Sequence, residues 1–329
     1  MQKRRLGKTG FEISEVSLGT WQLGTRWGDP FDAKEARNIL ESAVENGINF
    51  IDTADGYNAG MSEVAIGEFI NAHKNDSEKI YVATKCGRGK RPHVMDNYTE
   101  KSIRGFVDAS LSRMKLDYID LLQLHCPLVE VFDYDETWET LKALISEGKI
   151  GHYGVSVETV DEGFRAIDRG AETLQVIFNM FRFKPSEELF SAAKSADVGI
   201  IVRVPLASGL LSGKFTKDSV FGKEDHRNFN RGGEAFDKGE TFSGVDYETG
   251  LKAVEELKAL FGTDKIAPFA LRWILMFDAV SAVIPGASRT AQIVSNVEAG
   301  NLAPLTAQQM DAVKAIYDKY IKSSVHSNW

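Results

Sequence analysis

Eight short apolar segments recur along the chain, and nearly all of them are separated by one segment with helical periodicity. Such alternation predicts parallel strands joined by right-handed helical crossovers. Eight units of this kind close naturally into a barrel, so we predict an α/β protein with a (β/α)8 TIM-barrel fold. The strand candidates are Glu15–Gly19, Ile48–Asp52, Lys79–Thr84, Tyr118–Leu124, Ile150–Ser156, Leu174–Phe178, Gly199–Val204 and Ser281–Ile284.

An open, doubly wound sheet is the competing arrangement. It would normally carry a G-x-G-x-x-G motif after its first strand, and no such spacing occurs in the chain. Two short alternating runs around Gly7-Lys8-Thr9-Gly10 predict an N-terminal β-hairpin. Extra helices are predicted near the C-terminus, at Tyr247–Leu260 and Pro304–Ile321. Since α/β barrels of this size are commonly one domain, we expect a single domain over residues 1–329.

Two segments depart from the alternation. Ser208–Gly244 has seven glycines and little periodicity. A loop of this length in a compact protein is usually a functional lid or a disordered segment, and both interpretations stay open. The last segment, Lys322–Trp329, is predicted to be loose.

Composition and charge limit the range of partners. The net charge of -8 argues against nucleic acid or an anionic membrane as the main partner. Cys86 and Cys126 are the only cysteines, which excludes a disulfide framework and favours a reducing compartment. No secretory signal is recognised at the N-terminus, and the most apolar stretch, Ile266–Phe277, is too short to span a bilayer. We therefore expect a cytoplasmic protein, and its oligomeric state stays open.

Polar side chains follow three consecutive strand candidates. Asp52 ends the second strand, Lys85 follows the third and His125 follows the fourth, while Tyr57 lies on the loop after the second. In a barrel the carboxyl ends of the strands build the active site, so these four side chains are expected to converge.

Such a set could carry out proton transfer to a carbonyl. Tyrosine has an ordinary pKa of about 10, and an adjacent lysine cation would lower the pKa of Tyr57. Asp52 would hold Lys85 by pairing with it, and His125 could orient a carbonyl oxygen. None of these groups supplies a hydride, so a redox reaction would require a cofactor.

Structural interpretations compete with this one. Asp52 and Lys85 could form only a buried ion pair, and His125 could be a hydrogen-bonded core residue. Arg88, Lys90 and Arg91 could favour an anionic substrate, although a solvated run of charges is the commoner arrangement.

Two further classes of site are rejected from the spacing of residues. The remaining histidines show no ligand spacing, so no metal site is predicted. The segment Gly209–Lys214 looks like part of a phosphate loop, but Ser208 stands where the Walker motif needs glycine.

The stretch Gly47–Tyr57, with Lys85 and His125, strongly resembles the catalytic region of the aldo-keto reductase superfamily. The similarity covers nearly the whole chain. The resemblance implies a (β/α)8 barrel that reduces the carbonyl groups of small molecules with NADP(H), with NAD(H) also possible. Other matching stretches are Gly19-Thr20-Trp21, Gly154-Val155-Ser156, Gln175–Asn179, Pro205–Leu210 and Ile284–Ser288.

The same resemblance implies roles for individual residues. Asp52, Tyr57, Lys85 and His125 would be catalytic, with Tyr57 as the proton donor. The substrate pocket would be formed by Trp21, Trp27, Tyr57 and His125. The cofactor would be held by Gly19, Thr20, Trp21 and Asp52; by Ser156 and Gln175 at the nicotinamide amide, with Arg203 stacked on its ring; by Pro205, Leu206, Ser208 and Lys214 along the pyrophosphate; and by Gly286, Ser288, Gln292 and Asn296 at the adenosine. Arg289 is assigned to the 2′-phosphate from its charge alone.

Two positions depart from the family pattern. Val157 stands where many members have Asn, which removes one possible hydrogen bond to the nicotinamide. Gly286 stands where many members have Lys, which weakens the expectation of NADP over NAD. Two rival functions are a cofactor-binding sensor resembling the potassium-channel β-subunits and a Schiff-base lyase that uses Lys85. The channel subunits lack the histidine found here at His125, so an enzyme is favoured.

Overall fold

The computed structural model describes residues 1–25, 28–75 and 78–329. An antiparallel hairpin of β1 (Lys3–Arg5) and β2 (Glu12–Ser14) opens the chain, as predicted. Eight further strands form one sheet in which each strand pairs in parallel with its neighbour in sequence. They are β3 (Leu18–Gly19), β4 (Phe50–Asp52), β5 (Tyr81–Cys86), β6 (Ile119–His125), β7 (Ile150–Ser156), β8 (Thr173–Ile177), β9 (Gly199–Arg203) and β10 (Val280–Val283).

The sheet closes on itself at the segment that leads into β3. Ser17 N donates to Val283 O at 2.8 Å, and Val283 N donates to Glu15 O at 2.9 Å. Gly19 forms a further parallel bridge with Gly286. The first and last strands are therefore hydrogen-bonded neighbours, and the predicted (β/α)8 barrel is confirmed.

Helices cover the outside of the barrel. Ala36, Ile39, Leu40 and Ala43 of the first helix are buried at a spacing of three and four residues, which directs one face toward the strands. Within the described ranges, no helix is long and apolar enough to cross a bilayer. The helices are α1 (Ala33–Glu45), α2 (Met61–Ala72), α3 (Glu100–Met114), α4 (Asp135–Ser146), α5 (Val160–Asp168), α6 (Leu189–Ser195), α7 (His226–Phe229), α8 (Tyr247–Phe261), α9 (Ala267–Leu275), α10 (Thr290–Asn301), α11 (Ala307–Tyr320) and α12 (Lys322–Val325).

The hairpin covers the amino-terminal end of the barrel. Leu6 and Ile13 are fully buried and pack with interior side chains of the strands, among them Phe50, Leu121 and Ile201. This small cluster is separate from the larger core between strands and helices. Apolar side chains thus fill the barrel at the amino-terminal end of the strands, and its mouth lies at their carboxyl end.

The two segments outside the alternation are both ordered. The loop after β9 contains α7 and three short 3-10 helices, Ala207–Ser212, Lys238–Glu240 and Phe242–Gly244. The expectation of a loose tail is wrong. Trp329 is 9% exposed, and its indole Nε1 donates to the carboxylate of Asp237, which lies on that loop. A buried aromatic ring with a satisfied N–H gains enough from packing to order the tail.

The helical periodicity of Tyr98–Met114 predicts a helix that begins at Tyr98, whereas α3 begins at Glu100. A 3-10 turn at Met95–Tyr98 ends at Thr99, whose backbone is extended. The Thr99 hydroxyl accepts from Ser102 N, so this residue is the N-cap of α3. Periodicity alone does not distinguish a preceding 3-10 turn from the first turn of a helix.

We predict that Gly67→Ala destabilises the fold. Gly67 lies where α2 packs on the end of α3, and a Cβ there would lie 2.1 Å from Met114 O. Because the obstacle is backbone, we expect the free energy of unfolding to fall by about 1–3 kcal/mol or more, measured by urea denaturation.

Gly105→Ala is the matched control for this prediction. Gly105 lies in the exposed interior of α3, and a Cβ there would meet nothing within 4 Å. This variant should be neutral or more stable by up to about 1 kcal/mol, because alanine has the higher helix propensity. Equal stability of the two variants would contradict the packing described here.

Candidate active site

The four candidate catalytic residues converge at the carboxyl end of the barrel. Asp52 is the last residue of β4, Lys85 is the penultimate residue of β5 and His125 is the last residue of β6. Tyr57 opens the 3-10 turn Tyr57–Gly60 after β4. Lys85 Nζ lies 5.2 Å from the centre of the Tyr57 ring, and the centres of the Tyr57 and His125 rings are 6.0 Å apart.

Lys85 and Asp52 form an ion pair inside the barrel. Their side chains are 1% and 2% exposed, and Lys85 Nζ donates to Asp52 Oδ1. Lys85 Nζ also donates to Thr53 O at 2.9 Å. Burial by itself lowers the pKa of Lys85, but the Asp52 carboxylate and Tyr57 outweigh burial, so that this pKa lies above its ordinary value. Lys85 is therefore a cation at neutral pH.

The second oxygen of Asp52 is held by two buried amides. Gln175 Nε2 donates to Asp52 Oδ2 at 2.8 Å, and Gln123 Nε2 donates to the same atom at 3.0 Å. The amide and hydroxyl of Thr20 both donate to the backbone oxygen of Asp52, at 3.0 and 2.8 Å. Side chain and backbone of Asp52 are both fixed.

Tyr57 is held in a protonated state. Burial raises its pKa, and the nearby Lys85 cation lowers the pKa by less. The predicted lowering by Lys85 is present, but desolvation of the phenolate outweighs it, so the pKa of Tyr57 lies above its ordinary value. The next two residues, Asn58 and Ala59, have φ of 50° and 53°, so the chain turns sharply directly after Tyr57.

His125 is neutral at the barrel mouth. Burial lowers its pKa well below the ordinary value, and Lys85, Arg88 and Arg203 lower it further. Its Nδ1 atom is buried and has no hydrogen-bond partner among the described residues. A neutral imidazole with one protonated nitrogen can donate a hydrogen bond to a carbonyl oxygen.

A groove of about 600 Å³ opens above these residues. Its volume lies in the range of small-molecule and cofactor sites. Lys85 lies below the groove floor, fully buried. Most of the residues predicted for cofactor or substrate line the groove, namely Gly19, Thr20, Trp21, Asp52, Tyr57, His125, Gln175, Arg203, Pro205, Leu206, Ser208, Lys214, Gly286, Arg289 and Gln292.

Three of the residues predicted for the cofactor are not among the lining residues. Ser156 is fully buried, and its hydroxyl lies 3.7 Å from the Cys126 sulfur. Ser288 donates to Gln292 Oε1 through its backbone N–H at 2.8 Å, and Asn296 is buried on α10. Trp27 was predicted for the substrate pocket and lies outside the described residues.

The segment after β9 is strained. Val204, Ala207 and Ser208 have φ of 51°, 47° and 55°, in the left-handed region that side chains disfavour. Each such residue costs on the order of 1–3 kcal/mol, and such strain clusters at ligand sites. The residues predicted to contact the pyrophosphate therefore lie on a strained segment of backbone.

A cluster of buried charges forms one wall of the groove. Glu240 accepts from Arg88 Nη1 at 2.6 Å and pairs with Arg203 Nη1 at 3.4 Å. Burial raises the pKa of Glu240, but these two guanidinium groups outweigh burial, so that its pKa lies below the ordinary value. The interpretation of Arg88 as a solvated surface charge is wrong, because Glu240 neutralises it inside the fold.

The same cluster contains a possible set of metal ligands. Cys126, Glu158 and Glu240 bring ligand atoms within 4.8 Å of one another. Arg88 and Arg203 already donate toward the Cys126 sulfur, at 3.3 and 3.5 Å. Two guanidinium cations among the ligand atoms oppose a metal cation, so these residues are not assigned to one.

Some residues of the site were not singled out from the sequence, among them Gln123, although the loop Ser208–Gly244 was expected to contribute walls of the pocket. Gln123 could have been found, since it is the one polar residue in the run Leu121–Leu124 and alternates inward with His125. Glu240, Phe236 and His226 also line the groove. They lie on the loop after β9, where no periodicity indicates which side chains turn inward.

The lining of the groove fits a dinucleotide. Lys214 and Arg289 place two cations along it. Arg289 is the N-cap of α10, whose first-turn N–H groups favour an anion. At the other end, both amides that reach Asp52 Oδ2 must present nitrogen to it, so Gln175 has its oxygen free to accept a hydrogen bond from a nicotinamide amide. Arg203 Nε is buried without a partner in the described part of the chain.

Comparisons with known proteins agree with this geometry. The model of the aldo/keto reductase family matches residues 15–318. The chain is 32% identical to the uncharacterized oxidoreductase YqkF of Bacillus subtilis over 322 residues, with 96% of each chain covered. It is 30% identical to a probable voltage-gated potassium channel subunit beta of Arabidopsis thaliana, with 93% of each covered.

Two more relatives bear on the site. An NADH-specific methylglyoxal reductase of Escherichia coli is 32% identical, with 92% of this chain and 94% of that protein covered. The solved structure of the holo form of aldo-keto reductase AKR11C1 from Bacillus halodurans is 30% identical and superposes with a TM-score of 0.76. The superposition covers 100% of this chain and 99% of that one.

We predict that His125 stays uncharged from about pH 8 to about pH 6, across the ordinary titration range of histidine. Burial and the Lys85, Arg88 and Arg203 cations all oppose a second ring proton. The measurement is an NMR titration of the ring nitrogens, with the His125 signals assigned from their loss in His125→Asn. A midpoint for His125 near about 6.5, the ordinary value, would contradict the burial and the charges described here.

Proposed function

The chain belongs to the aldo/keto reductase family and is therefore an oxidoreductase, and from this premise we propose that it reduces aldehyde or ketone groups of small molecules to alcohols with NADPH. The observation that carries the proposal is the convergence of Tyr57, Lys85, Asp52 and His125 at one end of the groove. This constellation offers one proton donor, one cation beneath it and one neutral hydrogen-bond donor beside it.

Tyr57 is proposed to give its proton to the carbonyl oxygen. It is protonated at neutral pH, since the ordinary pKa of tyrosine is about 10 and burial raises that of Tyr57 further. Loss of the proton leaves a phenolate, which the Lys85 cation below the ring stabilises. Asp52 and Thr53 O fix Lys85 through two of its three N–H groups, which leaves the third for Tyr57.

His125 is proposed to align the carbonyl. Its ring lies 6.0 Å from that of Tyr57 between centres and nearly perpendicular to it, at 81°, and both side chains line the groove. A neutral imidazole donates without competing for the Tyr57 proton. When bound, the nicotinamide would supply the hydride, and Gln175 and Arg203 are the residues proposed to hold it. Trp21, 6.4 Å from Tyr57 between ring centres, is proposed as a wall of the substrate pocket.

NADPH is proposed over NADH from the charges at the far end of the groove. Arg289 lines the groove at the start of α10 and is the cation proposed to hold a 2′-phosphate. The NADH-specific relative in Escherichia coli makes NADH the alternative. A cytoplasmic location is also proposed, because Cys86 and Cys126 are both unpaired thiols.

The two rival functions find less support. A Schiff-base lyase needs an uncharged, accessible amine, whereas Lys85 is fully buried, protonated and paired with Asp52. A cofactor-binding sensor is supported by the potassium-channel relative. An enzyme is favoured over a sensor, because His125 completes a set of groups that serves chemistry rather than binding.

The test of the proposal is direct. Purified protein is titrated with NADPH and NADH by fluorescence, and cofactor oxidation is then followed against a panel of aldehydes and ketones. We expect binding of NADPH and its oxidation by some of the carbonyls. Binding without oxidation by any of them would favour the sensor, and a borohydride-trapped adduct on Lys85 would favour the lyase.

Tyr57→Phe is expected to remove most of the turnover. Loss of a positioned general acid typically lowers the rate by about a hundred- to ten-thousand-fold. The phenyl ring keeps the packing against Trp21 and His125, so NADPH affinity should stay nearly unchanged. Steady-state kinetics and fluorescence titration measure the two quantities. A variant with intact turnover would overturn the role proposed for Tyr57.

Arg289→Ala is expected to weaken NADPH binding by about tenfold to a hundredfold, the range for a lost charge-assisted hydrogen bond. NADH has no 2′-phosphate, so its affinity should change little. Lys252→Ala removes one positive charge from the exposed surface of α8, away from the groove, and is the control. Equal losses for NADPH and NADH in Arg289→Ala would refute the assignment of Arg289.

A further inference from the structure

Gln123 is a buried polar residue that the proposed mechanism does not yet use. It lies on β6 two residues before His125, on the same inward-facing side of the strand, and has no exposed surface. An uncharged amide at this depth is retained only when its hydrogen bonds are made, because an unpaired one costs free energy. Its partners are therefore informative about what it does.

Both ends of the Gln123 amide are engaged at the catalytic ion pair. Its Nε2 donates to Asp52 Oδ2 at 3.0 Å, and its Oε1 accepts from Gln175 Nε2 at 3.1 Å. Gln175 Nε2 also donates to Asp52 Oδ2 at 2.8 Å. The two amides and the carboxylate form a closed triangle on the side of Asp52 opposite Lys85.

We propose that Gln123 is a positioning residue that fixes Asp52, and through Asp52 the direction in which Lys85 presents its remaining N–H to Tyr57. This inference rests on the proposed function, in which Tyr57 is the proton donor. A carboxylate held only by Lys85 could rotate about its Cβ–Cγ bond. The two amide donors on Oδ2 prevent that rotation and leave Oδ1 facing the ammonium.

Gln123 also keeps Gln175 in one orientation. With Oε1 of Gln123 and Oδ2 of Asp52 both acting as acceptors, Gln175 must direct its nitrogen to them. Its oxygen is then the group offered to the groove. Gln123 therefore also determines which end of the Gln175 amide faces the groove, where Gln175 is proposed to bind the nicotinamide amide.

Loss of the Gln123 donor should act on Tyr57 through charge. Without that donor, the negative charge of Asp52 is less solvated and binds the Lys85 ammonium more tightly, so Lys85 stabilises the Tyr57 phenolate less. The pKa of Tyr57 should consequently rise further. The charged and titratable groups facing Tyr57 come from five elements, namely Asp52 on β4, Lys85 on β5, His125 on β6, Arg203 on β9 and Glu240 on the loop after β9.

Gln123→Met is the decisive variant, because methionine has nearly the same shape and no amide. We expect kcat to fall by about tenfold, the lower end of what loss of a hydrogen bond to a charged group produces. The KM of the carbonyl and the affinity for NADPH should change by less than about threefold, since Gln123 touches neither and Asp52 Oδ2 still accepts from the Gln175 nitrogen. The basic limb of the pH profile of kcat, where Tyr57 loses its proton, should move to higher pH.

Leu121→Met is the matched control. Leu121 precedes Gln123 by two residues on β6, packs inside the barrel with apolar side chains and has no amide to offer Asp52. It should show wild-type kcat and an unmoved basic limb. If Gln123→Met loses kcat with the limb in place and a lower Tm, Gln123 has only a structural role and the proposal is overturned. Wild-type kinetics in Gln123→Met would overturn it as well.

A readout that needs no turnover separates this inference from the proposed function. The carbon-13 shift of the Tyr57 ring carbon that bears the hydroxyl reports its hydrogen bonding, with the signal assigned from its loss in Tyr57→Phe. We expect this shift to move in Gln123→Met and to stay in place in Leu121→Met, even if no carbonyl is reduced. Failure of the wild type to oxidise NADPH would instead refute the proposed function.

Discussion

The buried ion pair of Lys85 and Asp52 is the interaction on which the site depends. Two opposite charges inside a barrel lose their hydration, and an unpaired one would cost several kcal/mol. The fold compensates by saturating Asp52 with the Gln123 and Gln175 amides and by giving Lys85 the backbone oxygen of Thr53. The Lys85 ammonium lies 5.2 Å from the centre of the Tyr57 ring, and we propose that its third N–H serves Tyr57.

The closed barrel makes this pairing possible. Asp52 and Lys85 are contributed by neighbouring parallel strands, β4 and β5, and Asp52 pairs with Ala83, two residues before Lys85. At the opposite end of the barrel, Leu6 and Ile13 of the hairpin segment pack against apolar side chains of the strands. Around the mouth of the barrel, Asn58, Val204 and Ser208 have an unfavourable backbone conformation. The rigid barrel stabilises this conformation, which the local sequence would not adopt by itself.

The barrel, the hairpin and the strand-end positions of Asp52, Lys85 and His125 were predicted from the sequence, because the spacing of apolar residues distinguishes strands from helices. The sequence did not predict the contacts of the loop after β9, since an aperiodic loop gives no sign of which residue turns inward. Glu240 and the anchoring of Trp329 depend on partners distant in sequence, Arg88 and Asp237. The net rise in the pKa of Tyr57 was missed because burial depth is a property of the assembled fold.

Hydride transfer to a carbonyl held by Tyr57 and His125 is tested most directly by following the hydrogen at C4 of the nicotinamide. NADPH labelled with deuterium at C4 is incubated with the protein and a carbonyl that it reduces, and the alcohol is analysed by NMR. We expect deuterium on the carbinol carbon from one face of the nicotinamide ring only, and solvent hydrogen only on the hydroxyl. Solvent hydrogen on the carbinol carbon, or label from both faces, would contradict a carbonyl held by Tyr57 and His125 over a fixed nicotinamide.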